Sequence, residues 1–231
     1  KIGKTNSTDI LKSYLHHMVE EISLEKEYKV AVDCASGPSC RATPQLLEDL
    51  GCEVVTINSQ LDGRFPGREA EPVEGNLSDL KELVLASDAD IGFAHDGDGD
   101  RVAVVDEEGK FVGMDKLLAL MGRYSVDRFG GGIVTTVDAS KMVDEEVSKA
   151  GGGVFRTPVG DVNVSRKMHS NGIKFGGEPS GSWIIGDVHF AADGTLAAAR
   201  VIEILDDTKK SFSTLTDSIP SYPIVRDKVD C

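Results

Sequence analysis

The apolar positions of this chain keep two rhythms, one helical and one extended, and they change places at regular intervals. Ile10, Leu11, Tyr14, Leu15, Met18, Val19 and Ile22 recur every three or four residues, which sets them on one face of a helix that Ser7 or Thr8 can cap. A continuous apolar run predicts a strand over Tyr28 to Asp33, and Ala35 to Pro38 reads as a turn. A helical pattern then ends at Asp49-Leu50-Gly51, where Gly51 is the stop, and a second strand covers Cys52 to Ile57. Beyond a polar loop from Asn58 to Gly75, Leu77, Leu80, Leu83 and Val84 predict another helix, and Ala89 to Ala94 a third strand. The order is β-α-β-α-β, and strands without polar alternation suit a parallel sheet covered by helices on both faces.

A hairpin follows, Val102 to Asp106 and Lys110 to Val112, turning at Glu107 to Gly109. The same order then repeats. A helix runs from Met114 to about Phe129, a strand from Gly132 to Asp138, a helix to Lys149, a strand from Val154 to Pro158, a helix to Ser170 and a strand from Ile173 to Gly176. An Ala-rich helix, Asp193 to Leu205, closes the pattern, and the tail from Asp206 to Cys231 reads as a connector. The fold class is therefore α/β: two similar α/β domains, residues 1–109 and 110–231, each a mixed, mostly parallel sheet covered by helices.

Length agrees, since 231 residues provide two domains of about 110 residues, each able to bury a core. Charge narrows the partners. With 39 acidic against 25 basic residues and a net charge of -14, the chain has no basic face for a phosphate backbone, so nucleic acid is not expected as a partner. No apolar run approaches the roughly 20 residues of a membrane span, and Lys1 to Asp9 is polar where a signal peptide is apolar; neither membrane nor export is expected, and the location is read as cytoplasmic. Cys34, Cys40, Cys52 and Cys231 form no C-x-x-C pair and are read as buried or inert thiols.

The sharpest chemical feature is Asp96-Gly97-Asp98-Gly99-Asp100-Arg101, directly after the third strand. In open α/β sheets ligands sit beyond the carboxyl ends of strands, which is where this loop falls. Three alternate carboxylates separated by glycines can turn hard oxygens toward one point, an arrangement that suits Mg²⁺ and leaves room for phosphate or water. An EF-hand would also use Asp96, Asp98, Asp100 and Glu107, but it requires Gly where Arg101 stands and helices where strands are predicted. Arg101 reads as a phosphate partner beside the metal or as a salt bridge within its own loop.

A second loop, Gly176-Gly177-Glu178-Pro179-Ser180-Gly181-Ser182-Trp183, follows the last strand of the second unit, the equivalent position. The Glu178 carboxylate and Ser180 hydroxyl can accept from and donate to neighbouring sugar hydroxyls; Trp183 reads either as an apolar wall or as core.

Together these motifs resemble the α-D-phosphohexomutase family. Asp62-Gly63-Arg64-Phe65-Pro66-Gly67-Arg68 is similar to the family's D-G-x-F-P segment, and Arg156-Thr157-Pro158-Val159-Gly160-Asp161 to its R-T-x-V-G-D segment. The match runs from about Tyr28 to Leu205 and corresponds to the second and third of four domains. The first domain, with its T-A-S-H-N-P-type phosphoserine loop, and the fourth, with its phosphate-gripping loop, have no counterpart here. The resemblance implies that Asp96, Asp98 and Asp100 hold Mg²⁺ against the phosphoserine, that Arg101 contacts the same phosphate, and that Glu178 and Ser180, with Gly177, hold the sugar. It further implies interconversion of hexose 6-phosphate and hexose 1-phosphate through a hexose bisphosphate, the absent first and fourth domains being partners.

The segment Val137-Asp138-Ala139-Ser140-Lys141 resembles a place where some relatives carry a basic residue near the substrate; here Asp138 stands nearby and Lys141 follows, read either as reaching the site or as a solvated lysine at a helix start. His95 orients a ligand or bonds within its strand; Asp161 approaches the ligand or caps its helix. The Pro between Glu178 and Ser180 resembles the loops of archaeal-type phosphoglucosamine mutases, with phosphomannomutase/phosphoglucomutase as the alternative. The chain alone is expected to be inactive, and a non-catalytic sugar-phosphate or metal-binding module is the reading from a different class.

Overall fold

The structure, a computed structural model, describes residues 3–223. The helix α1 (Leu11–Glu21) turns Leu15 and Met18 inward, as the stripe requires. Its cap differs from expectation: Ile10 is the capping position, and the first N–H, from Leu11, donates to Asp9 Oδ1 at 3.1 Å, so neither Ser7 nor Thr8 serves.

The first sheet is built from β1 (Lys29–Asp33), β2 (Glu53–Ile57), β3 (Ile91–His95), β4 (Val102–Asp106) and β5 (Phe111–Val112), in the spatial order β2-β1-β3-β4-β5. β1 pairs in parallel with β2 and β3, while β4 returns antiparallel to β3 and β5 antiparallel to β4. Helices α2 (Ser39–Asp49) and α3 (Ser78–Ser87) make the crossovers. The central strands β3 and β4 are buried at every position, and only the edge strand β2 exposes residues, as a covered parallel sheet demands.

The second sheet repeats the plan with β6 (Gly132–Thr136), β7 (Gly153–Thr157), β8 (Phe175–Gly177) and β9 (Trp183–Ile185), in the order β7-β6-β8-β9. Again the first three are parallel and the last antiparallel. Its helices are α4 (Met114–Phe129), α5 (Lys141–Lys149) and α6 (Asp161–Asn171). The strand expected over Gly132 to Asp138 ends at Thr136, and β9 was hidden in the sequence because three residues are too few to show a period.

α7 (Gly194–Thr208) binds the two sheets together. Thirteen of its 15 residues are buried, so it lies inside the molecule, packed on α2, β4, α4 and β9. The principal apolar cluster therefore runs through both units without a break, from Met18 and Leu46 through Phe93 and Leu117 to Trp183 and Phe212. The tail is not a mere connector: α8 (Phe212–Asp217) follows α7, and Phe212, Leu215 and Ile219 enter the same core. Residues 224–231, Cys231 among them, lie outside the described residues. Among the described residues no helix is long and apolar enough to cross a membrane.

Candidate functional site

Each sheet puts one loop beyond the carboxyl end of its third strand, just before the antiparallel return: residues 96–101 between β3 and β4, and residues 178–182 between β8 and β9. The two loops are joined. Arg101 and Ser182 form an antiparallel bridge, Val102 N–H donates to Gly181 O at 3.1 Å, and the Trp183 indole Nε1–H donates to Val102 O at 2.9 Å. Trp183 is fully buried, so it is core and not a wall for a ligand.

In the first loop the carboxylates converge: one oxygen from each of Asp96, Asp98 and Asp100 lies within 4.8 Å of the others. Opposite ligands of a Mg²⁺ ion stand about 4.2 Å apart, so the trio is close to closing on one. Asp96 Oδ1 accepts from Gly99 N–H at 2.9 Å and Arg101 N–H at 3.2 Å, which folds the loop back on its first carboxylate. Burial pushes the Asp96 carboxyl up to about 7; the Arg101 N–H works against this, and Asp100 and Asp98 add to it. Asp100 Oδ1 is a buried oxygen with no hydrogen-bond partner among the described residues. A crowded carboxylate set with an orphaned oxygen fits a hard divalent cation. β-strands flank the loop on both sides, which disposes of the EF-hand.

Arg101 reaches Glu71 Oε2 at 2.8 Å and stands 3.7 Å from both Asp96 Oδ2 and Asp100 Oδ1. Its head is held beside the trio by carboxylates that a phosphate could replace. His95 is wholly buried, with Nε2 at 2.9 Å from Thr43 Oγ1 and Nδ1 at 3.2 Å from Arg101 O; burial pushes its pKa down to about 4.

The loop rests on a scaffold that sequence reasoning only half saw. Arg68 sends Nε to Asp33 Oδ2 at 2.6 Å and Nη2 to His95 O at 2.5 Å, pinning the 58–75 loop to the ends of β1 and β3. Asp33 accepts as well from Ala35 N–H and Asn58 Nδ2. Gly37 passes so close that a Cβ there would stand 2.5 Å from Gly97 O. The family-like segment carried a signal for Arg68; nothing in the sequence marked Glu71, Gly37 or Thr43.

In the second loop, Glu178 is nearly buried, and its Oε1 accepts from Gly160 N–H at 2.7 Å. Gly160 has φ +124, a conformation open to glycine and strained for other residues, which explains the glycine before α6. Ser180 is exposed at the tip. Gly177 is pressed between neighbours, since a Cβ would fall 2.7 Å from Trp183 Cε3, and its carbonyl accepts from Thr135 Oγ1 at 2.8 Å. Asp161 is the first residue of α6, the cap being Gly160. Arg156 Nη1 donates to Thr136 O and Ala139 O and its Nη2 to Asp144, tying β7 to α5. Lys141 opens α5 with its side chain 82 % exposed and Glu145 at 3.9 Å.

Two family models match the chain: phosphoglucomutase/phosphomannomutase alpha/beta/alpha domain II over residues 12–109, and alpha/beta/alpha domain III over residues 114–222. A probable phosphoglucosamine mutase of Methanopyrus kandleri is 47 % identical over 223 residues, covering 96 % of this chain and 49 % of the relative. Among solved structures, a phosphoglucomutase/phosphomannomutase family protein of Burkholderia thailandensis superposes with a TM-score of 0.87 at 31 % identity, over 94 % of this chain and 48 % of that one. An N-acetylphosphoglucosamine mutase of Aspergillus fumigatus, solved with GlcNAc-6P and magnesium, shares the fold at a TM-score of 0.65 and 14 % identity, over 92 % of this chain and 53 % of its own. The chain belongs to the phosphoglucomutase/phosphomannomutase family, the α-D-phosphohexomutases, and carries that family's second and third domains. It spans about half the length of the curated relatives it matches.

Proposed function

We propose that this chain is the metal-holding and sugar-holding half of a cytoplasmic phosphoglucosamine mutase, working on hexose 6-phosphate, hexose 1-phosphate and the bisphosphate between them. The observation that carries the reading is the junction of the two loops, which sets three converging carboxylates beside the Glu178-Pro179-Ser180 segment. Identity to phosphoglucosamine mutases along nearly the whole chain supports the choice of sugar. Free Cys34, Cys40 and Cys52 support a reducing compartment. Units divided near residue 109, one sheet in each, are part of the same reading.

Asp96, Asp98 and Asp100 would hold Mg²⁺, which when bound neutralises charge on the phosphoryl group being transferred. Arg101 exchanges its carboxylate contacts for phosphate oxygens beside that group. Glu178, its orientation set by Gly160 N–H, accepts from sugar hydroxyls, and the exposed Ser180 hydroxyl donates to the ring, with Gly177 fixing the start of the loop. Asp161 and Lys141 stand at helix starts on the same side as this loop's strand ends and are assigned weaker electrostatic parts. In the reaction a serine-bound phosphoryl group passes to the free sugar hydroxyl, the P–O bond to serine breaking as that to the sugar forms and the hydroxyl proton ending on the serine oxygen; after the sugar turns, its other phosphoryl returns to serine and the proton to the sugar oxygen. The 231 residues contain no T-A-S-H-N-P loop to supply that serine.

A coupled mutase assay with glucosamine, mannose and glucose 6-phosphates tests this, run on the chain and on a longer product of the same gene that carries a phosphoserine loop. Turnover by the longer protein only, fastest with glucosamine 6-phosphate, is the expected result. Preference for mannose or glucose phosphate would move the assignment to phosphomannomutase/phosphoglucomutase, and silence with all three sugars would leave a binding module.

A further inference from the structure

A line of buried hydroxyls runs from the second unit to the end of the metal loop. Thr195, in the first turn of α7, has Oγ1 2.7 Å from Thr43 Oγ1 in α2; that oxygen is 2.9 Å from His95 Nε2, and His95 Nδ1 is 3.2 Å from the carbonyl oxygen of Arg101. Thr195 is 4 % exposed and the other two are wholly buried, so no solvent competes for these contacts. The last acceptor dictates every proton before it. A carbonyl oxygen only accepts, so Nδ1 carries the N–H. The neutral ring then offers a bare Nε2, which accepts from the Thr43 hydroxyl, and Thr43 in turn accepts from Thr195. A second clamp lies beside the first: Gly194, the residue before Thr195, donates its N–H to Gly99 O at 3.2 Å, and a Cβ on Gly194 would stand 2.6 Å from Arg101 O.

We propose that the directed relay Thr195 to Thr43 to His95 is a positioning device for the metal loop, by which helix α7 of the second unit fixes the Arg101 carbonyl and with it the three carboxylates. It rests on the reading of Asp96, Asp98 and Asp100 as cation ligands. His95, Thr43 and Thr195 touch neither cation nor substrate; they act through the backbone between Asp96 and Arg101. With the His95 ring neutral, one arrangement of donors and acceptors satisfies the relay, so the loop is shaped before a cation arrives and ordering it costs less on binding.

Two measurements on the 231-residue chain test the relay. Long-range ¹H–¹⁵N correlation of His95 in the metal-free protein is expected to show the neutral Nδ1–H tautomer; a neutral Nε2–H ring or a doubly protonated ring near pH 7 would overturn the proposal. Mn²⁺ binding, followed by electron paramagnetic resonance, is then compared among the parent chain, Asp98→Asn, Thr43→Val, Thr43→Ser and Thr195→Val. Thr43→Val keeps the volume and removes the hydroxyl, and is expected to weaken Mn²⁺ about tenfold, the lower end of what outer-sphere partners cost. Thr43→Ser restores the hydroxyl and should bind within about twofold of the parent, while Thr195→Val, one link farther from the loop, is expected to fall between them. Parent affinity retained in both valine variants while Asp98→Asn loses binding would overturn the relay and leave the metal site standing. Equal binding by the parent and Asp98→Asn would overturn both, and the unresponsive Asp98 control identifies that case.

Discussion

The two loops occupy equivalent places in repeated sheets, yet they are held in opposite ways. The metal loop is gripped from all sides: Gly37 beneath Gly97, Arg68 on His95 O, His95 on Arg101 O and Gly194 on Gly99 O. The sugar loop is anchored at its ends, by Glu178 on Gly160 N–H and by Trp183 on Val102 O, while Ser180 stands exposed at its tip. The difference follows from what each would bind. On the proposed function, a small hard cation demands oxygens in fixed places, whereas a loop that would hold a sugar before and after it turns needs one fixed carboxylate and an accessible tip.

That contrast can be broken most forcefully at the joint. Trp183→Ala removes a fully buried ring and an indole hydrogen bond, and is expected to lower stability by about 3–5 kcal/mol in chemical denaturation. If the loss stays below about 1 kcal/mol, the loops are not welded through this residue. Next comes Asp98→Asn, expected to reduce Mg²⁺ affinity by more than the roughly 10–100-fold typical of an outer-sphere change, read by calorimetry, while the denaturation midpoint holds. Gly37→Ala sharpens the picture of a gripped loop: its methyl meets the Gly97 carbonyl, and a destabilisation of about 1–3 kcal/mol with weakened Mg²⁺ binding is expected.

A pH titration probes the same loop with less force. Asp96 has its pKa raised from 3.8 to about 7, so in the metal-free protein its protonated form is favoured by folding. Its contribution to stability is fully present below about pH 4 and is lost as pH rises through about 7. Mg²⁺ must displace that proton, so affinity should climb between pH 4 and 7 and level off above, and a flat profile by calorimetry would show that Asp96 is already ionised. His95 acts with the opposite sign: its pKa is lowered from 6.5 to about 4, so the stability it contributes is present above pH 6.5 and is lost as pH falls toward 4. The two effects oppose one another in metal-free denaturation, which is why metal affinity is the cleaner readout. The smallest effect belongs to Lys141→Ala, whose exposed side chain should change stability by less than about 0.5 kcal/mol.

Sequence periodicity located the strands and helices wherever they were long enough to show a rhythm, and it put the Asp96–Arg101 loop at a strand end. It failed where elements are short or contacts distant. β9 is three residues behind a Pro-Ser-Gly turn, and α8 occupies a polar-looking tail whose Phe212 and Leu215 are too few to form a stripe. Trp183 could be wall or core from its neighbours alone; its complete burial in a cluster drawn from both units, with Val102 far away in sequence accepting its indole N–H, makes it core. His95 was visible, but the two threonines that complete its environment come from α2 and α7, and no local pattern links them. The carboxylate trio was legible because its chemistry is consecutive; its supports were not, because they are scattered.

The burial of α7 has a consequence for how the molecule is made. A ribosome releases α1, α2 and the whole first sheet well before it releases α7, and although α1 and β2 already pack on α2, the face that carries Thr43 gains its α7 neighbour only when that helix arrives. The nascent first unit therefore lacks its α7 contacts on α2 and β4 until the second unit emerges and docks, an interval in which incompletely packed chains are open to aggregation and to chaperone capture.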